Sequence, residues 1–96
     1  MSRTYSVRGL GSRILTHLSA SPNNLAGIRS AIAADVQEGR AIWHCLGALI
    51  EDGLVDRSGP IYVITAEGLD ALAVMDAGHP FTAATPGVRY FPRAAA

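Results

Sequence analysis

A mainly α-helical domain with one small β-hairpin is the fold class this sequence predicts, and three observations predict it. Apolar residues recur at helical spacing in four separate stretches of the 96-residue chain. Between the third and fourth stretches, two short runs rich in Val, Ile and Tyr flank Ser58-Gly59-Pro60, the pattern of a hairpin turn. Capping residues stand where helices should begin, at Asn24, Asp35 and Thr65. The length is that of one domain. A chain this short buries only about 60–65% of its unfolded surface, so its core must be tight and built from Leu, Ile, Val and Ala.

Taken in order, residues 1–8 are polar and basic, with Tyr5 and Val7 alternating, and form an extended arm or a short edge strand. Leu10, Ile14, Leu15 and Leu18 predict a first helix from about Gly9 to Ser19. Ser21-Pro22-Asn23-Asn24 ends it, because Pro22 disfavours helix at the residue before it. Asn24 caps a second helix over Leu25 to Ala33, whose apolar face is Leu25, Ile28 and Ile32, with Arg29 pointing away. Asp35 and Glu38 make a D-x-x-E capping arrangement that opens the third helix. Its apolar face is Ile42, Leu46, Leu49 and Ile50, and Gly53 supplies the left-handed residue that stops it. The second helix, a tight turn and the third helix together make a helix-turn-helix. Leu54–Arg57 and Ile61–Ile64 are the hairpin strands. Thr65 caps a fourth helix over Ala66 to Asp76, with Leu69, Leu72, Ala73 and Met75 as its apolar positions. Residues 77–96 hold three prolines and no periodicity, so they read as a weakly packed tail. The organisation is thus an arm (1–8), a folded domain (9–76) and a tail (77–96), without internal repeats.

Formal net charge is zero, which argues against a strong global field for nucleic acid or membrane. The distribution is uneven. Residues 1–40 hold five arginines against two acids, and residues 41–96 hold three arginines against six acids. Every basic residue is Arg, which suits bidentate contact with phosphate and guanine, although base composition of the gene explains the same bias in an Ala- and Gly-rich chain. Cys45 is the only cysteine, so an internal disulfide is excluded and a reducing compartment is expected. No run approaches the roughly 18 apolar residues of a membrane span, and the first ten residues have no apolar signal core. A cytoplasmic protein is expected.

The order helix, helix, helix, hairpin, helix, together with two local strings, resembles the winged helix-turn-helix family. Ile42-x-x-x-Leu46-x-x-Leu49-x-x-x-Gly53-Leu54-Val55 is similar to the V-x-x-x-L-x-x-L-x-x-x-G-L-V run of MarR-type and ArsR-type bacterial regulators. Tyr62-x-Ile64-Thr65-x-x-Gly68-x-x-x-Leu72 is similar to the Y-x-L-T-x-x-G-x-x-x-L run that closes the wing in those families. The similarity covers roughly residues 10–76, and its letters report packing rather than a target. The chain departs from MarR-type proteins in having no long terminal dimerisation helices, and from metal-sensing ArsR-type proteins in having no paired cysteines. The resemblance therefore implies the fold and double-stranded DNA binding, without ligand or metal sensing.

At about 100° per residue, Arg40, His44, Gly47, Ala48 and Glu51 point away from the buried side of the third helix, with Gln37 and Ala41 on the flank. The resemblance implies that this face, helix 35–52, enters the major groove with hairpin 54–64 as the wing. Arg40 would then pair with guanine, Gln37 with adenine, and His44 with a base or phosphate, while Gly47 and Ala48 allow close approach and Ala41 flanks the contact. Arg57 beside the wing turn, Arg29 and Arg13 would contact the backbone, although a solvated surface arginine is an equally ordinary role. So few cations per protomer imply weak monomeric binding, so a homodimer is expected. Its seam would use Leu69, Leu72 and Met75, with Tyr90 and Phe91 crossing from the tail.

Trp43 lies on the edge of the buried face and is expected to pack between the third helix and the N-terminal segment or tail. The alternative is an exposed anchor for a protein partner, which would make the domain a protein–protein interaction module (adaptor, subunit or inhibitor) without DNA binding. Cys45 is expected to be buried and inert. His17, His44 and His79 lie in different elements, so no metal site and no cofactor are expected. No phosphate loop, nucleophile motif or paired carboxylates suggest catalysis, and the expectation is that the protein is not an enzyme.

Overall fold

Helical periodicity decides most of the architecture. The computed structural model describes residues 3–32 and 36–83, and of residues 36–38 the backbone path alone. Helices α1 (Leu10–Ala20), α2 (Leu25–Ile32), α3 (Val36–Glu51) and α4 (Ala66–Asp76) follow in the predicted order. They enclose a core of Ile14, Leu15, Leu18, Ile28, Ile42, Leu46, Leu49, Leu72 and Met75. Leu54 and Val55 complete the core from the hairpin side. The result is a small α+β domain of four helices with short antiparallel strands.

The helix ends are made by the residues that the sequence marks. Asn24 caps α2, its Oδ1 accepting from the Gly27 N–H at 2.7 Å. Thr65 caps α4, its Oγ1 accepting from the Gly68 N–H at 3.0 Å and donating to the Gly53 carbonyl at 2.7 Å. That one hydroxyl thus ties the start of α4 to the end of α3. The α3 terminus is a Schellman motif: Gly53 sits at φ +78°, its N–H reaches Ile50 O, and the Leu54 N–H reaches Leu49 O. Asp35, the expected cap of α3, lies outside the described residues.

Strands β3 (Val55–Ser58) and β4 (Ile61–Ile64) form the hairpin, one residue later at its start than the sequence suggests. Two pairings go beyond it. β2 (Asn23–Asn24) lies antiparallel to β4, giving a three-stranded sheet in the order β2-β4-β3. β1 (Thr4–Tyr5) pairs with β5 (Phe81–Thr82), and the Ala83 N–H donates to Arg3 O at 2.8 Å. Tyr5 and Ala83 are core residues, so the packed unit includes part of the arm and the first residues of the tail.

Two stripes are rotated from expectation. In α4 the buried positions are Gly68, Ala71, Leu72 and Met75, whereas Leu69 is 50% exposed and Ala73 also faces out. Close approach to the hairpin explains the rotation. A Cβ at Gly68 would stand 2.1 Å from the Leu54 carbonyl oxygen, so only glycine lets α4 lie against the chain there. In α3, Ile50 is 36% exposed and Cys45 takes the half-buried flank instead.

Candidate functional site

The outward face of α3 is the surface with fewest intramolecular commitments. Gly39, Ile42, Leu46 and Leu49 face inward, which leaves Arg40, Ala41, Trp43, His44 and Gly47 exposed along about two turns. Gly39 is where α2 comes close: a Cβ there would lie 2.9 Å from Arg29 Nε. The Arg29 side chain is thereby laid against the N-terminal half of α3. Leu25, Arg29, Gly39, Arg40 and Trp43 line a shallow depression between the two helices.

A second depression runs between α3 and the hairpin, with Trp43, His44, Gly47 and Ile50 on one wall and Arg57 and Tyr62 on the other. Arg57 and Tyr62 are cross-strand partners. The guanidinium carbon lies 5.7 Å from the Tyr62 ring centroid, and Nε donates to the Gly59 carbonyl at 2.9 Å. The turn and the ring therefore hold the charge of Arg57 over the trough. Among the described residues nothing lies within 4 Å of a Cβ built on Gly47, and the missing side chain keeps the middle of the helix low.

Trp43 forms the ridge shared by both depressions and is 57% exposed. The N-terminal segment therefore does not cover it as expected, and the tail beyond Ala83, the other expected cover, lies outside the described residues. The position of Trp43 on the rim of the buried stripe leaves it beyond the reach of β1, which runs instead to the C-terminal end of α3. Its ring meets that of His44 edge-on, centroids 5.1 Å apart.

The other predicted residues divide. Gln37 stands in the first turn of α3, with its side chain outside the described set. Arg13 is turned to a structural task, its guanidinium donating to the Ile32 carbonyl at the end of α2 at 2.8 Å, and it lines neither depression. Leu72 and Met75, expected at a dimer seam, are core residues, because Gly68 rotates them inward. Leu69 remains outward, accompanied by Val74. Tyr90 and Phe91 lie outside the described residues.

The cluster that sequence reasoning missed sits at the C-terminal end of α3. Arg3 donates to Glu51 and to Asp52 at 3.0 Å each, and to the Ala48 carbonyl at 3.1 Å. The Tyr5 hydroxyl donates to the same Asp52 carboxylate. Glu51 foremost holds the Arg3 guanidinium even more firmly protonated than usual. Burial first, and then the bond to Asp52, push the Tyr5 hydroxyl above the ordinary tyrosine range. Burial also pushes the Cys45 thiol up to about 11, against a smaller opposing pull from Arg3. The only signal in the sequence was the alternation Arg3-x-Tyr5 and the pair Glu51-Asp52, 48 residues apart, which no local pattern links.

Among the described residues, no three His, Cys, Asp or Glu side chains group closely enough to hold a metal ion, and no helix is long and apolar enough to cross a membrane. His17 is hydrogen-bonded to the Asn23 amide at 3.1 Å, far along the chain from His44 and His79. Comparison of the chain with protein-family models, curated proteins and solved structures finds no match.

Proposed function

We propose that this is a small winged helix DNA-binding protein of the cytoplasm, a transcriptional regulator that lays α3 in the major groove and uses the β3–β4 hairpin as its wing. One observation carries the reading. A single surface gathers Arg29, Arg40, His44 and Arg57 around a helix whose centre is lowered by Gly47. Three arginines from three elements line the two depressions that meet at Trp43, although the chain as a whole is neutral. A helix of 16 residues is about 24 Å long, enough to cross a groove about 12 Å wide and keep its ends at the phosphates. Arg40 and His44 would meet base edges, and Arg29 and Arg57 would meet the backbone on either side. The exposed Leu69 and Val74 on α4, which line neither depression, are candidates for a homodimer seam.

A retardation assay with a pool of random duplexes at low salt tests the reading. The expected result is a shifted band whose log affinity falls with log salt at about −0.9 per neutralised phosphate. Replacing Arg40 by Ala should cost about 1–3 kcal/mol at a specific site. Failure to shift any duplex rejects DNA binding.

A second reading is favoured by one observation, the exposure of Trp43 beside the half-exposed Ile50. Those two side chains suit an anchor of a protein–protein interaction module, since a buried Trp is a frequent centre of binding energy. Indifference to DNA combined with a stoichiometric complex that Trp43→Ala abolishes would establish this reading instead.

A further inference from the structure

The C-terminal end of α3 carries a charge problem that the N-terminal strand solves. Its last-turn carbonyls hold the negative pole of the helix dipole, and Glu51 and Asp52 add two carboxylates at the same place. Glu51 lines the trough alongside His44 and Arg57, so its charge lies at the rim of the proposed binding surface. Its side chain is 66% exposed, whereas that of Asp52 is 3% exposed. A phosphate approaching this end would be repelled if nothing compensated it.

Arg3 compensates it. One guanidinium nitrogen reaches Asp52 and the Ala48 carbonyl, and the other reaches Glu51. The strand backbone sets the placement: Thr4 pairs with Thr82, Tyr5 with Phe81, and the Arg3 carbonyl accepts from Ala83. The Tyr5 hydroxyl holds Asp52 from the buried side, which leaves the guanidinium on the solvent side near Glu51. We propose that Arg3 is a positioning residue for nucleic-acid binding at α3. By pairing with Glu51 and Asp52 it cancels one of the two carboxylate charges at a phosphate-repelling helix end, and so raises the affinity of a surface whose bases and phosphates are met by other arginines. This rests on the DNA-binding reading.

The test is anisotropy of a labelled random duplex titrated with the full chain and its variants, at low and at high salt, with circular dichroism as the check on folding. Arg3→Ala should weaken binding by about three- to tenfold at low salt, and the loss should shrink as salt screens the uncovered carboxylates. Arg3→Ala with Glu51→Gln should recover most of the loss, because the exposed charge is then gone. Arg3→Lys should stay within about twofold of the wild type, since the charge survives although the fork geometry does not. A merely structural role predicts a loss that salt does not reduce and that Glu51→Gln does not rescue; either result overturns the proposal. Should Arg3→Ala fail to fold, Arg3→Lys and Glu51→Gln decide the matter alone, and weaker binding by either overturns it. A wild type that binds no duplex removes the DNA-binding reading and this inference with it. A wild type that binds and is matched by Arg3→Ala removes this inference only.

Discussion

The C-terminal end of α3 and the exposed middle of the same helix differ sharply in how much of the described molecule they engage. At the C-terminal end, Gly53 closes a Schellman motif, Thr65 bonds to the Gly53 carbonyl, and Arg3 and Tyr5 converge on Asp52. In the middle of the same helix, Arg40, Trp43, His44 and Gly47 stand out from the fold, and none of the described residues lies over Gly47. One end is spent on holding the hairpin and the terminal strands in place. The middle is free for something else. A helix anchored so firmly at one end presents its middle in a fixed pose, which is what a preorganised binding surface needs.

Substitutions should separate the anchored parts from the free ones. The largest effect is expected at Leu46, fully buried under the exposed middle, where Ala should cost about 2–5 kcal/mol in urea unfolding. Trp43→Ala, three residues earlier on the same helix, should change stability by about 0.5 kcal/mol or less. Equal losses at the two positions would mean that Trp43 packs against something in the free protein. Gly68→Ala should cost about 3 kcal/mol, since its methyl group would press on the Leu54 carbonyl and push α4 off the hairpin. Tyr5→Phe, which removes the inner partner of Asp52, should cost about 1–2 kcal/mol. A smaller effect is expected from pH. Tyr5 and Cys45 are both shifted upward in the fold, so each contributes stability that is complete below its ordinary titration range and is lost as pH rises through the folded value. For Cys45 that window runs from about 9 to about 11, and a denaturation midpoint measured across it should fall, less steeply in Cys45→Ala. Alkylation of Cys45 at pH 8 should likewise be several-fold slower than that of a free thiol.

The same division separates what the sequence discloses from what it hides. The helices, the capped starts of α2 and α4, the Schellman end of α3 and the hairpin rest on residues within nine positions of one another, so spacing and turn chemistry reveal them. The buried stripe of α4 is set by the approach of Gly68 to Leu54, 14 positions away, and periodicity alone placed Leu69 inside. The β1–β5 pair joins residues 76–78 positions apart, and the Arg3 cluster joins residues 45–49 positions apart. Neither leaves a local trace, because hydrogen bonds between distant segments impose no period on either one. For the candidate surface, periodicity identified the outward face with Arg40, His44 and Gly47. It did not foresee that Trp43 would join that face, since a residue at the edge of a stripe is buried or exposed according to neighbours that only the tertiary structure supplies.

On the proposed function, the exposed middle of α3 and the hairpin form one nucleic-acid surface. Amide chemical-shift mapping during titration with a duplex at low salt tests it most directly. The account predicts shifts concentrated at Arg40, Trp43, His44, Gly47 and Arg57, with Leu69 and Val74 on α4 unmoved. Shifts confined to α4, or none at any duplex concentration, would contradict it.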